Sequence, residues 1–199
     1  MKRALFALVV LALLGTHAYA SVPDPSMSTV EPWDTNGKAV GVPDVNGAAG
    51  ADIDVTVNAN IGGVATPIEG AFVGVEFSAG CEVCICSNAG IEAYTDASGM
   101  ATLNVGVGGC CDLGAAVVVK AGDDTVVPPA LVIIRSYDLF ASTDFNNDCA
   151  TSLGDFTAFA GAYNNCDVQC ADYTGDGCAT LGDFTFFAGN YNTGCTPAE

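Results

Sequence analysis

A duplication constrains this chain more than any other feature of it. Residues 144–164 read DFNNDCATSLGDFTAFAGAYN, and the stretch beginning 28 residues later, at 172, reads DYTGDGCATLGDFTFFAGNYN. In each copy aspartates hold positions 1, 5 and 12 of a twelve-residue window: Asp144, Asp148 and Asp155, then Asp172, Asp176 and Asp183. A calcium loop of the EF-hand kind takes oxygen ligands at positions 1, 3 and 5, a backbone carbonyl at 7, a direct or water-mediated ligand at 9 and a carboxylate at 12. The first copy supplies Asp144, Asn146, Asp148, the carbonyl of Ala150, Ser152 and Asp155. The second supplies Asp172, Thr174, Asp176, the carbonyl of Cys178, Thr180 and Asp183. An Asp/Asn-rich turn is the plain alternative for one such match, but not for two with matching flanks. Two calcium ions are therefore expected. Magnesium fits worse, since it demands a tight octahedron and holds its water strongly.

After position 12 both copies continue Phe-Thr-x-Phe-Ala-Gly-x-Tyr. Phe156, Phe159 and Tyr163, and likewise Phe184, Phe187 and Tyr191, fall at i, i+3, i+7, so a helix is expected to follow each loop. Core packing between the two helices is the expected role of these aromatics.

The N-terminus reads MKRALFALVVLALLGTHAYA: two basic residues, an apolar run over Ala4–Leu14 and small residues before a cut at Ser21. That is the layout of a secretory signal peptide, with an apolar run too short to span a bilayer. Beyond it only Lys38, Lys120 and Arg135 oppose 23 acids, a formal charge of 3 − 23 = −20. Such a chain repels phosphate backbones and anionic lipid, which disfavours nucleic acid and membrane surfaces as partners. The one histidine, His17, lies in the signal segment. Without imidazole, Ser-His-Asp and Cys-His catalysis and histidine-ligated metals are excluded from the mature chain. No carboxylate pair stands out as an acid/base couple, so a non-catalytic protein is expected.

Residues 21–50 are rich in Pro, Gly and turn formers and read as an irregular lead-in. From 51 to 138 the chain changes to short β-runs. DIDVTVNA places Ile53, Val55 and Val57 on one face; AFVGVEFS does so with Val73, Val75 and Phe77, and ATLNVGV with Leu103, Val105 and Val107. AAVVVKA and LVIIRSY are more continuously apolar. Strands at this spacing with no helix between them predict an all-β antiparallel sandwich. Asp96-Ala97-Ser98-Gly99 reads as a hairpin turn, with Gly99 supplying a positive φ. PIEGAFVGVEF followed by AYTDASGMATLNV resembles the bacterial Ig-like domains of the invasin and carboxypeptidase-regulatory-like type. In those families such modules are mostly spacers, stalks or adhesive units.

The duplicated loop-then-helix unit, with no helix ahead of its first loop, resembles the dockerin module of cellulosome-type systems. The resemblance covers about 140–195 within a module drawn at 140–199. It implies a small α-helical domain that folds around calcium and docks onto a cohesin-like partner, attaching its carrier to an extracellular or cell-surface assembly. It also links the chain to polysaccharide degradation. Position 6, usually Gly, is Cys149; position 8 is Thr151 or Ala179; the recognition positions 10 and 11 read Leu153-Gly154 and Leu181-Gly182. The expected partner surface lies beside the loops, at Leu153, Thr157, Ala158, Leu181 and Thr185. Two alternatives stand beside attachment: a structural or adhesive surface protein whose calcium repeats only stabilise the fold, and a small carbohydrate-active enzyme.

Ten cysteines in an exported chain predict disulfides. Cys81, Cys84, Cys86, Cys110 and Cys111 fall in the sandwich; Cys149, Cys166, Cys170, Cys178 and Cys195 fall in the repeats. CEVCIC with a downstream CC also fits a zinc knuckle. An odd number in each half means that full oxidation needs a bridge between halves or between chains. Antiparallel packing about a pseudo-twofold sets the end of each helix beside the other copy's loop. Cys149–Cys195 and Cys166–Cys178 are then expected, because a helix of roughly ten residues holds cysteines of one repeat about 15 Å apart. Cys170 is left to bridge to the sandwich.

Overall fold

The computed structural model describes residues 22–44 and 51–198; the signal-peptide reading lies outside the described residues. The alternating runs form strands with their apolar faces inward. Strands β1 (Thr29–Glu31), β3 (Asp52–Thr56) and β9 (Met100–Asn104) make one sheet in the order β1-β3-β9. The second sheet contains β2 (Ala39–Gly41), β6 (Phe72–Phe77), β8 (Glu92–Tyr94), β11 (Cys111–Asp123) and β12 (Ala130–Ser142), in the order β2-β12-β11-β6-β8. Pairing is antiparallel except for β2 against β12. Between the sheets lie Val30, Ile53, Val55 and Leu103 from one side and Val73, Val75, Val117, Val119 and Phe140 from the other. This is a two-sheet β-sandwich, in which each alternating strand turns its apolar face to the shared core. Two small ribbons complete the strands: β4 (Asn58–Ile61) with β5 (Val64–Pro67), and β7 (Cys84–Ile85) with β10 (Val107–Gly108).

Two expectations are corrected in detail. The turn at Asp96–Gly99 closes, with the Gly99 N–H donating to the Asp96 carbonyl at 2.9 Å, but β8 and β9 then diverge into different sheets. Gly99 is required there: its φ is +75°, and a Cβ would sit 2.7 Å from the Val57 carbonyl oxygen. Strand β12 runs to Ser142, past the expected sandwich limit at 138.

The larger correction is the lead-in, which is not irregular across its described part. It supplies β1, β2 and a four-residue helix, α1 (Trp33–Asn36), and buries Val30, Trp33 and Ala39 in the sandwich core. Two three-residue strands and one helical turn leave little periodicity to read among prolines and glycines. A half-buried polar cluster fastens the segment. Arg135 Nε donates to both Asp34 oxygens at 2.8 and 2.9 Å, and its other nitrogens donate to the carbonyls of Pro25, Ser28 and Ile134. The Tyr137 hydroxyl donates to Asp34 at 2.7 Å, and its ring meets Trp33 edge-on.

Burial pushes the Asp34 carboxyl upward, but the Val30 N–H, the Arg135 guanidinium and the Tyr137 hydroxyl outweigh it and hold the pKa below 3.8. The unfolded chain therefore binds more protons in acid. This stabilisation is complete above pH 3.8 and is lost as pH falls through the lower folded-state value. Asp34→Asn is expected to cost about 2–3 kcal/mol at neutral pH in urea denaturation and to flatten the acid limb of the stability profile. An unchanged midpoint and acid limb would mean that this carboxylate does not hold the segment.

Candidate functional site

Each repeat forms a loop that opens a helix: α2 spans Leu153–Ala162 and α3 spans Leu181–Gly189, separated by a 3-10 turn at Gln169–Ala171. Position 12 organises both loops. Asp155 Oδ1 accepts from the N–H groups of Phe145 and Asn146 at 2.8 and 3.2 Å, while Oδ2 accepts from Ser152 N–H and Oγ at 2.8 and 3.0 Å. Asp183 repeats the pattern, with Thr174 N–H on Oδ1 and Thr180 N–H and Oγ1 on Oδ2 at 2.8, 2.8 and 3.1 Å. One carboxylate thus ties the loop's start to the helix N-cap.

Position 1 is equally satisfied from the backbone. Asp144 accepts from the N–H groups of Asp148 and Cys149, and Asp172 from those of Gly175 and Gly177. Positions 4 and 6 take left-handed φ in both loops: Asn147 at 60° and Cys149 at 66°, Gly175 at 76° and Gly177 at 100°. Cys149 adopts at position 6 the conformation that glycine adopts in the other loop, anchored by a disulfide.

Carboxylate oxygens of Asp144, Asp148 and Asp155 lie within 4.8 Å of one another, as do those of Asp172, Asp176 and Asp183. In both loops positions 1 and 12 are buried and position 5 is exposed. Asn146, Ser152, Thr174 and Thr180, with the carbonyls of Ala150 and Cys178, sit in the same windows. An all-oxygen set of this charge matches the chemistry of calcium rather than of a soft metal. Burial, together with the charges of Asp155 and Asp148, outweighs the N–H donors and pushes Asp144 up to about 6. Asp183 shifts the other way: burial raises it, but the donors from Thr180 and Thr174 hold it below the ordinary range.

The loops hook onto each other's helices. The Thr151 N–H donates to the Thr193 carbonyl at 2.8 Å after α3, and the Asn164 N–H donates to the Ala179 carbonyl at 2.8 Å after α2. Phe159 and Phe187 stack between the helices with centroids 5.2 Å apart. These two aromatics are buried as expected; the other four are not. Phe156, Phe184, Tyr163 and Tyr191 are each about 40% exposed. They line two apolar grooves of roughly 370 and 360 Å³. One holds Leu153, Phe156, Phe184, Phe187, Ala188 and Tyr191; the other holds their counterparts in the opposite repeat, Leu181, Phe184, Phe156, Phe159, Ala160 and Tyr163. Aromatics at i, i+3 and i+7 share one face of a helix, so their spacing did not show which rings would stay exposed. Leu153 and Leu181 are 67% and 66% exposed, and Thr157, Ala158 and Thr185 are exposed beside them.

The disulfides correct the expected pairing. Cys166–Cys178 forms, but Cys149–Cys195 does not. The Cys195 N–H donates to the Cys149 carbonyl at 2.9 Å, so the two are neighbours as the antiparallel argument requires. Strand β7 lies against both and takes their sulfurs, giving Cys84–Cys149 and Cys86–Cys195. Cys110–Cys170 adds a third tie to the sandwich, and Cys81–Cys111 closes within it. All ten cysteines are oxidised, which leaves no thiolate for a zinc knuckle and places the chain in an oxidising, extracellular setting. No described helix is long and apolar enough to cross a membrane.

No family model and no curated protein matches the chain. Among solved structures it is similar to the D0-D1 domain of intimin, at 19% identity and a TM-score of 0.29, over 58% of this chain. The match spans about half, 48%, of that structure.

Because the Asp183 carboxylate joins the start of loop two to the N-cap of α3 through hydrogen bonds from Thr174 and Thr180, Asp183→Ala is expected to cost about 2–4 kcal/mol even in excess chelator. Guanidinium denaturation in EGTA reads this directly. A change below about 0.5 kcal/mol would mean that the hydrogen bonds to this carboxylate do not hold the loop.

Proposed function

We propose that this is an extracellular, non-catalytic adhesive or structural protein, in which a calcium-stapled helix pair forms a fixed tip of the Ig-like sandwich. The observation that carries this reading is the set of three disulfides from the sandwich to loop one, to the segment between the repeats and to the C-terminal tail. A module held at three points does not swing on a tether, so the sandwich and the helix pair present one rigid surface. Calcium at Asp144, Asn146, Asp148, Ala150, Ser152 and Asp155, and at the six equivalents of loop two, neutralises the crowded carboxylates and couples binding to folding.

A second reading is dockerin-like attachment to a cohesin-like partner, favoured by the paired grooves. A docking face whose two halves exchange under the repeat symmetry offers a partner two equivalent orientations. Leu153, Thr157, Ala158, Leu181 and Thr185 would border the contact, with Phe156 and Phe184 at its centre.

Equilibrium dialysis of the oxidised protein is expected to give two calcium ions per chain, and one after Asp155→Ala or Asp183→Ala. Fewer than one ion per chain removes the calcium reading. Beads coated with the chain should then adhere to cell or matrix surfaces in calcium and release in EGTA, and retention no better than albumin-coated beads would count against adhesion. Capture of a recombinant cohesin, weakened about tenfold or more by Leu153→Asp with Leu181→Asp, would decide for the second reading.

A further inference from the structure

Lys38 is one of three cationic residues after the signal segment, and it is 94% buried, at 6% exposure. Its Nζ donates to Asp172 Oδ2 at 2.7 Å and to the Asp172 backbone carbonyl at 2.6 Å. Asp172 is position 1 of loop two. Its other oxygen, Oδ1, accepts from the Gly175 N–H. The carboxylate of the equivalent residue of loop one, Asp144, accepts from N–H groups of its own loop and, among the described residues, pairs with no cation. The carrier of Lys38 is pinned on both sides. Gly37 closes α1 at φ +69°, and β2 begins at Ala39 on the edge of the sandwich. Next to it the Asn36 carbonyl presses on Gly175 where a Cβ would clash, so position 4 of this loop needs glycine for contact as well as for φ. Val40 enters the core shared with Tyr173, Ala179 and Phe187.

We propose that Lys38 is a resident cation of loop two, making the two calcium loops unequal. Loop two, with three carboxylates and one ammonium, carries a net charge of −3 + 1 = −2, whereas loop one carries −3. The ammonium relieves the repulsion that otherwise opens a metal-free loop, so loop two stays ordered without calcium. The same charge opposes an incoming divalent ion, and affinity in such loops follows the charge of the ligand set. Loop two therefore binds calcium about 10- to 100-fold more weakly than loop one. Loop one is the metal-dependent element, and loop two reports whether the N-terminal segment is docked.

The inference rests on the calcium reading, and its test separates the two. Hydrogen exchange of the full oxidised chain in EGTA is expected to show Gly175 and Gly177 amides protected at least tenfold more than those of Asp148 and Cys149. Equal protection overturns the proposal whether or not calcium binds. Calcium titration of Asp183→Ala, which leaves loop one, and Asp155→Ala, which leaves loop two, should give the 10- to 100-fold difference. In Lys38→Met the loop-two amides should lose their protection in EGTA while calcium affinity at loop two rises. Equal affinities in the two single-loop variants, or unchanged loop-two protection in Lys38→Met, would overturn it. Failure of both loops to bind removes the calcium reading and leaves the exchange comparison to decide the role of Lys38.

Discussion

Two cysteines on either side of Ile85, Cys84 in the two-residue strand β7 and Cys86 just after it, tie this edge to two distant places in the repeat pair, Cys149 and Cys195. The other arrangements depend on that seam. It holds loop one against β10, where the Gly109 N–H donates to the Asp144 carbonyl and Gly108 has no room for a side chain beside the Asp144 carboxylate. It also draws the C-terminal tail along β7, with Ser87 and Ala198 N–H groups donating to the carbonyls of Thr196 and Ile85. The sequence separations closed are 65 and 109 residues, so the bridges remove much of the unfolded chain's freedom.

With the seam in place, the small helix pair need not be stable alone. Its core is short: Phe159, Phe187, Tyr173 and a few alanines, completed by Val40 and Ala141 from the sandwich side. Helices of ten and nine residues are marginal in isolation. What they gain from the sandwich allows four aromatics to stay half exposed rather than being consumed in packing. The exposed aromatic face is thus a consequence of the weld: a free-standing helix pair of this size would need those rings inside.

The two loops show how far a duplicated sequence departs from duplicated physics. Both use position 12 to join loop and helix, and both turn through left-handed residues at positions 4 and 6. Their surroundings differ. Loop one faces β10 and a disulfide; loop two faces α1 and a buried ammonium. Repeats of nearly the same residues consequently sit in different electrostatic settings.

Local chemistry is what the sequence by itself determined. Period-two runs specified β3, β6 and β9, because alternate side chains of a strand face one core, and continuously apolar runs marked β11 and β12. The acid spacing specified two loops with Ser152 and Thr180 at the helix starts, since capping and ligand positions are set within a dozen residues. An odd number of cysteines in each half meant that full oxidation needed a bridge between the halves or between chains. Tertiary structure alone decided which sulfurs met, because Cys149 and Cys195 are neighbours and only the approach of β7 takes both away from each other. It also decided the fate of residues 29–41, whose strands are too short to show a period. Lys38 gave no local sign of its partner, for it meets Asp172 across 134 residues, and a contact at that separation exists only once the chain has folded.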